Sequence, residues 1–211
     1  MKKRTRLKKY GPYIVISLIS LLLRIADMVI TYIYTPDLAL EANPLVTQFG
    51  AGWSSLIISN IIAQIIIMVL AYFPFVYYKR TFVKCNNIKE YISILHFERP
   101  DRFNRILIDN AKNKLFIMVP IGFSFVLAYI VADICVVLSN ALALMKAPYP
   151  CLFCFMKIPH TICNMIQIHT SNGHLQIPVV LITVFLLTIF LGICFWYLKE
   201  YKINRKALNE A

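Results

Sequence analysis

Residues 13–34 read YIVISLISLLLRIADMVITYIY, and this stretch decides the fold. An α-helix needs about 20 mostly apolar residues to cross roughly 30 Å of hydrocarbon, and only Arg24 and Asp27 are charged here. The same pattern recurs downstream. Four spans are expected, at about 12–34, 52–78, 115–145 and 177–198, separated by polar stretches. The composition agrees: of 211 residues 59% are hydrophobic and 15% charged, whereas a soluble domain carries about 25% charge. The class expected is all-α, a single polytopic membrane domain of four transmembrane helices.

The bases set the orientation. Lys and Arg number six in residues 1–11, nine in 79–114 and four in 199–211, but none in 35–51 and two in 146–176. Lys and Arg in short flanking loops resist translocation. Both termini and the loop 79–114 are therefore expected to be cytoplasmic, and 35–51 and 146–176 to be outer loops. The run Lys2-Lys3-Arg4-Arg6-Lys8-Lys9 precedes an apolar segment too long for a signal peptide, so it is read as the flank of an uncleaved helix. The net charge of +12 thus borders a membrane. The glycines are scattered and the bases are not interleaved with a stacking platform, so no nucleic-acid binding is expected.

Within the loop, Ile88, Tyr91, Ile92 and Leu95 recur at helical spacing, and Phe103, Ile106 and Leu107 follow Pro100. Two short amphipathic helices are expected, lying on anionic headgroups at the cytoplasmic face or docking a cytosolic protein.

Charges inside a span are costly and face protein or water. Arg24, Asp27 and Thr31, three and four apart, share one helical face; so do Asn60 and Gln64, and Asp133 and Asn140. Counting about 1.5 Å per residue from the outer boundary places Arg24, Asp27, Asn60, Gln64 and Asp133 in one stratum of the outer half, with Thr31 and Asn140 above it. This layer is either a structural clasp between helices or a site for a proton, an ion or a small polar ligand.

The run Ala26-Asp27-Met28-Val29-Ile30-Thr31 followed by Glu41-Ala42-Asn43-Pro44-Leu45 resembles a widespread prokaryotic family of small membrane proteins of unknown function, over about residues 20–76. Its pattern pairs Asp-x-x-x-Thr on one helix with Glu-x-Asn-Pro just after it. The resemblance implies a multi-span protein of a prokaryotic cytoplasmic membrane and no reaction. A turn at Asn43-Pro44 would fold Glu41 and Asn43 over the outer end of the polar layer.

Cys151, Cys154 and Cys163 lie in the second outer loop. A Cys-x-x-Cys outside the membrane, with four spans and both termini inside, is the layout of quinone-coupled disulfide-forming oxidoreductases. Here the relay is incomplete, since only Cys163 remains outside and the first outer loop has no cysteine. A metal array with His160 competes with a structural disulfide or buried thiols; the last is preferred, and no metal or cofactor is expected. His169 and His174 are read as loop histidines.

The reading carried forward is a non-enzymatic membrane protein, compatible with a homo-oligomer. A thiol-disulfide oxidoreductase using Cys151 and Cys154, and an effector binding a cytosolic partner through 79–114, are the alternatives. No Ser-x-x-Lys, His-Glu-x-x-His or Gly-x-Ser-x-Gly pattern supports hydrolase chemistry. Single-cysteine variants at 40 and 170 should label from outside intact cells and one at 90 should not; labelling at 90 would reverse the topology.

Overall fold

The computed structural model describes residues 2–38, 46, 49–106, 114–145, 165–170 and 173–210, with side chains over 10–38, 46, 49–106, 116–142, 144–145 and 182–210. In chain order the elements are α1 (Lys2–Tyr34), α2 (Trp53–Tyr72), a π-helical turn (Phe73–Tyr77), α3 (Ile88–Phe97), a 3-10 turn (Phe103–Arg105), α4 (Lys114–Leu144), β1 (Met165–Thr170), β2 (Gly173–Pro178) and α5 (Val179–Asn209). Four of these helices are long and apolar enough to cross a membrane: Tyr10–Tyr34, Trp53–Tyr77, Phe116–Leu142 and Ile182–Asn209. Their large apolar side chains are widely exposed, Leu22 at 63%, Ile58 at 57% and Phe190 at 63%. Such exposure is stable when the surrounding solvent is lipid.

The helical class read from the sequence is the one observed, with one addition. Residues 165–170 and 173–178 pair as an antiparallel hairpin in which Ile166 stands opposite Ile177, Ile168 opposite Leu175, Gln167 opposite Gln176 and His169 opposite His174. The two histidines read as loop residues are thus strand residues. The reason is a period-2 alternation of apolar and polar residues over 166–169 and again over 174–177, which is a strand signal. Pro178 ends β2, and α5 begins at Val179.

The chain forms two compact units. One comprises Met1–Ile14, Val69–Leu127 and Thr188–Ala211; the other comprises Val15–Met68 and Ala128–Leu187. The first gathers both termini and the basic segment, and its core is Phe116, Val119 and Trp196, packed by Phe73, Tyr78, Leu95, Phe123 and Tyr197. Tyr78, Phe116 and Trp196 meet edge to face at 5.3–5.9 Å between ring centres, the arrangement that the ring quadrupoles favour. Pro74 has no N–H to give to the Leu70 carbonyl four residues back, so the helix widens into the π turn. Gly122 of α4 lies against that carbonyl, and a Cβ there would overlap the Leu70 oxygen. At Gly192 of α5 a Cβ would come within 2.9 Å of Ser124 Oγ on α4.

Beyond the apolar run of α5, Glu200 and Asn204 organise the connection that follows α2. Arg80 donates to both Glu200 carboxylate oxygens at 2.7 and 2.8 Å, and Tyr78 donates to Glu200 Oε2 at 2.9 Å. The buried Asn204 amide accepts from Val83 N–H at 2.8 Å and donates to Val83 C=O at 2.9 Å, replacing the strand neighbour that this extended segment lacks.

Helix α3 starts at a capped terminus. Asn87 accepts from the Glu90 N–H at 2.9 Å, and the Glu90 carboxylate reaches back to the Asn86 N–H at 2.8 Å, a variant of the capping box. Its end is marked by Glu98 in the left-handed region, φ 58°. On its apolar side Tyr91 is buried, whereas Ile88, Ile92 and Leu95 are half-buried. Tyr91 is fully buried with its ring 5.8 Å from that of Tyr201, and His96 Nε2 lies 2.6 Å from Tyr197 OH. Of the second amphipathic helix the described residues include the 3-10 turn Phe103–Arg105, which has no side-chain cap; Leu107 lies outside them.

Burial lowers the pKa of His96 to about 4. The unfolded chain binds a proton near pH 6.5 and the folded ring does not, so the fold loses stability as pH falls from about 6.5 to about 4. The shift corresponds to about 3 kcal/mol. Melting temperatures of the detergent-solubilised protein between pH 7 and pH 4 should fall more steeply for wild type than for His96→Gln.

Candidate functional site

The second unit contains the polar cluster. Ser17, Ser20, Arg24, Asp27 and Thr31 form one stripe along α1, since their spacings of three and four keep them on a single face. Tyr129, Asp133 and Asn140, four and seven apart, form the matching stripe on α4. Arg24 donates to Asp133 Oδ1 at 2.8 Å and to the Tyr129 hydroxyl. Its guanidinium carbon also lies 4.9 Å from the centre of the Tyr129 ring, so the aromatic face supplies part of the solvation that hydrocarbon withholds. Asp27 lies 3.9 Å from Arg24 and accepts from Asn140 Nδ2 at 2.9 Å. Two carboxylates on two helices therefore share one guanidinium.

Gln64 does not join them. It accepts from Ser20 Oγ at 2.9 Å and its Nε2 faces the Ser17 carbonyl at 3.5 Å. The single stratum read from depth is thus two contacts: a neutral clasp joining α1 to α2, and a charged one joining α1 to α4. A neutral amide is satisfied by a hydroxyl and needs no counter-charge, and Ser20 provides it one turn before Arg24. Asn60 is half-buried on α2 and joins none of the hydrogen bonds among the described residues. Thr31 is buried, and its carbonyl accepts from the Thr35 N–H at 2.8 Å. Trp53 caps this end of the unit, donating to the Pro36 carbonyl at 2.8 Å with its ring 5.4 Å from that of Tyr32.

Glu41, Asn43, Cys151, Cys154 and Cys163 lie outside the described residues. Among the described ones, Cys85, Cys135 and Cys194 are free thiols, and no group of three or more His, Cys, Asp or Glu is placed to hold a metal ion. Tyr129 and Ser20 were not singled out from sequence. Their spacing was the available signal, four residues before Asp133 and four before Arg24.

The contact between Arg24 and Asp133 is single where a forked one is possible. Arg24 Nε and Asp133 Oδ2 are both buried with no hydrogen-bond partner among the described residues. A donor and an acceptor thus stand unused beside a layer holding two acids and one base. Chemically, such an arrangement can take up a proton, a small cation or a small polar molecule. No protein-family model, no curated protein and no solved structure matches the chain.

Arg24→Leu leaves the buried Asp133 carboxylate uncompensated and should cost about 3–5 kcal/mol. Replacing Arg24, Asp27 and Asp133 together by Leu removes every charge and should restore most of that stability, read as thermal unfolding in detergent. Additive losses without recovery would show that the three groups are uncoupled.

Proposed function

We propose that this membrane-embedded protein is non-enzymatic and that its intramembrane layer holds one exchangeable small cation, the proton included. One observation carries the reading. The layer has two carboxylates, Asp27 and Asp133, against the single base Arg24, so with all three ionised it carries one uncompensated negative charge in a setting where charge is expensive. A bound cation or proton restores neutrality, and the unused Asp133 Oδ2 offers it an oxygen. Asn140 holds Asp27 in place, and Tyr129 accepts from the guanidinium that Asp133 also engages.

The uneven distribution of bases supports a cytoplasmic membrane with both termini and residues 79–114 inside, and the resemblance over residues 20–76 supports a prokaryotic one. The contacts of Tyr91 and His96 of α3 with the end of α5 favour this reading over a cytosolic docking role for that helix.

Replacing choline by lithium, sodium or potassium at constant pH and ionic strength tests the reading in the purified protein. A cation bound only by the folded state should raise stability by about 2.7 kcal/mol at a hundredfold excess over its Kd, or should release protons into a weakly buffered medium. In Asp27→Asn, whose layer is already balanced, both responses should vanish. Wild type and variant responding alike would remove the charge argument.

A further inference from the structure

A second polar feature lies in the unit that gathers both termini, and the function proposed above makes no use of it. Between the segment leaving α2, the C-terminal half of α3 and the start of α4 is a cavity of about 660 Å³. Tyr72, Val76 and Phe116 form apolar walls, whereas Lys79, His96 and Glu98 bring polar groups to it. Its level is set by the chain, because Tyr77 ends the second apolar span and Lys79 follows two residues later. The cavity therefore lies where acyl chains give way to headgroups.

His96 supplies the independent observation. The residue is 3% exposed, its Nε2 is 2.6 Å from the Tyr197 hydroxyl, and its Nδ1 is buried with no partner among the described residues. Burial keeps the ring neutral. In the tautomer in which Tyr197 O–H donates to Nε2, the ring proton is on Nδ1, and that N–H is a buried donor without an acceptor among the described residues. Leaving it so is costly. An anionic oxygen would satisfy it, and the exposed Lys79 ammonium would add a charge-assisted contact to the same group.

We infer that this cavity binds a phospholipid of the leaflet bordering the basic unit, its phosphate toward Lys79 and His96 and its acyl chain along Tyr72, Val76 and Phe116. The aromatic and aliphatic walls select a lipid over free phosphate, since an isolated phosphate would leave them unfilled. Glu98 limits the head to a single net negative charge, because a second would meet a carboxylate.

The test uses the full-length protein in detergent, incubated with palmitoyl-oleoyl phosphatidylglycerol and examined by native mass spectrometry. Wild type should retain one phospholipid. Lys79→Glu reverses the charge and Thr81→Trp fills the cavity from an exposed position on its wall; each should lower occupancy about tenfold, the worth of one charge-assisted contact, with an unchanged melting temperature. Excess inorganic phosphate should not displace the lipid. Equal retention by all three proteins, or displacement by phosphate alone, would overturn the proposal. A photoreactive acyl-chain analogue on wild type gives a readout that needs no variant: crosslinks should map to residues 72–83, 94–98 and 116, and crosslinks confined elsewhere would overturn it as well.

Discussion

A guanidinium within an apolar helix has to find its counter-charge inside the protein, because hydrocarbon provides neither water nor dipoles. Arg24 does so across α1 and α4. Its 2.8 Å contact with Asp133, the Tyr129 hydroxyl and ring, and the nearby Asp27 fix which faces of the two helices meet, whereas apolar packing alone would tolerate several rotations of one helix against the other. The hydrophobic effect gives no such direction here, lipid being as apolar as leucine. The direction comes from the price of an unpaired charge. Ser20 and Gln64 do the same for α1 and α2 at lower stakes, with neutral groups.

The other unit is organised by a different device. Glu200, 3% exposed, holds Arg80 by a forked contact and Tyr78 by its hydroxyl, while Asn204 holds the Val83 backbone on both sides. The extended stretch after α2 is thereby fastened to α5, which continues past its apolar run to reach it. The aromatic cluster of Tyr78, Phe116 and Trp196 packs beside these bonds, with Tyr78 belonging to both. The Arg80 side chain is 38% exposed and that of Glu200 4%, so the carboxylate carries most of the desolvation cost and the three donors offset it.

Each unit leaves some buried polar atoms unsatisfied. Around Glu200 both carboxylate oxygens are engaged, as befits a structural clamp. Around Arg24 one acid is in excess and two polar atoms go unused, and His96 keeps an unpartnered ring nitrogen beside a cavity. Buried polar atoms are rarely left without partners when their only task is stability. Among the described residues the atoms that depart from that rule are Ser17 Oγ, Arg24 Nε, Tyr91 OH, His96 Nδ1 and Asp133 Oδ2; a small cation is assigned beside Arg24 and Asp133, and a phospholipid beside His96.

The four spans were legible in the sequence because crossing hydrocarbon imposes a length and an apolarity that any 20-residue window reveals. The stripe of Arg24, Asp27 and Thr31, and the pairing in sequence of Asp133 with Asn140, were legible because helical spacing alone decides what shares a face. The partner of each polar residue was not. Gln64 reached Ser20 and not Asp133, and Tyr129 entered as the second acceptor for Arg24, because depth along a helix axis says nothing about rotation around it. The tertiary structure alone decided that Tyr91 and His96 of α3 meet Tyr201 and Tyr197: amphipathicity reports that a helix has a face to cover, and only the neighbouring end of α5 determines which of its residues find a partner there.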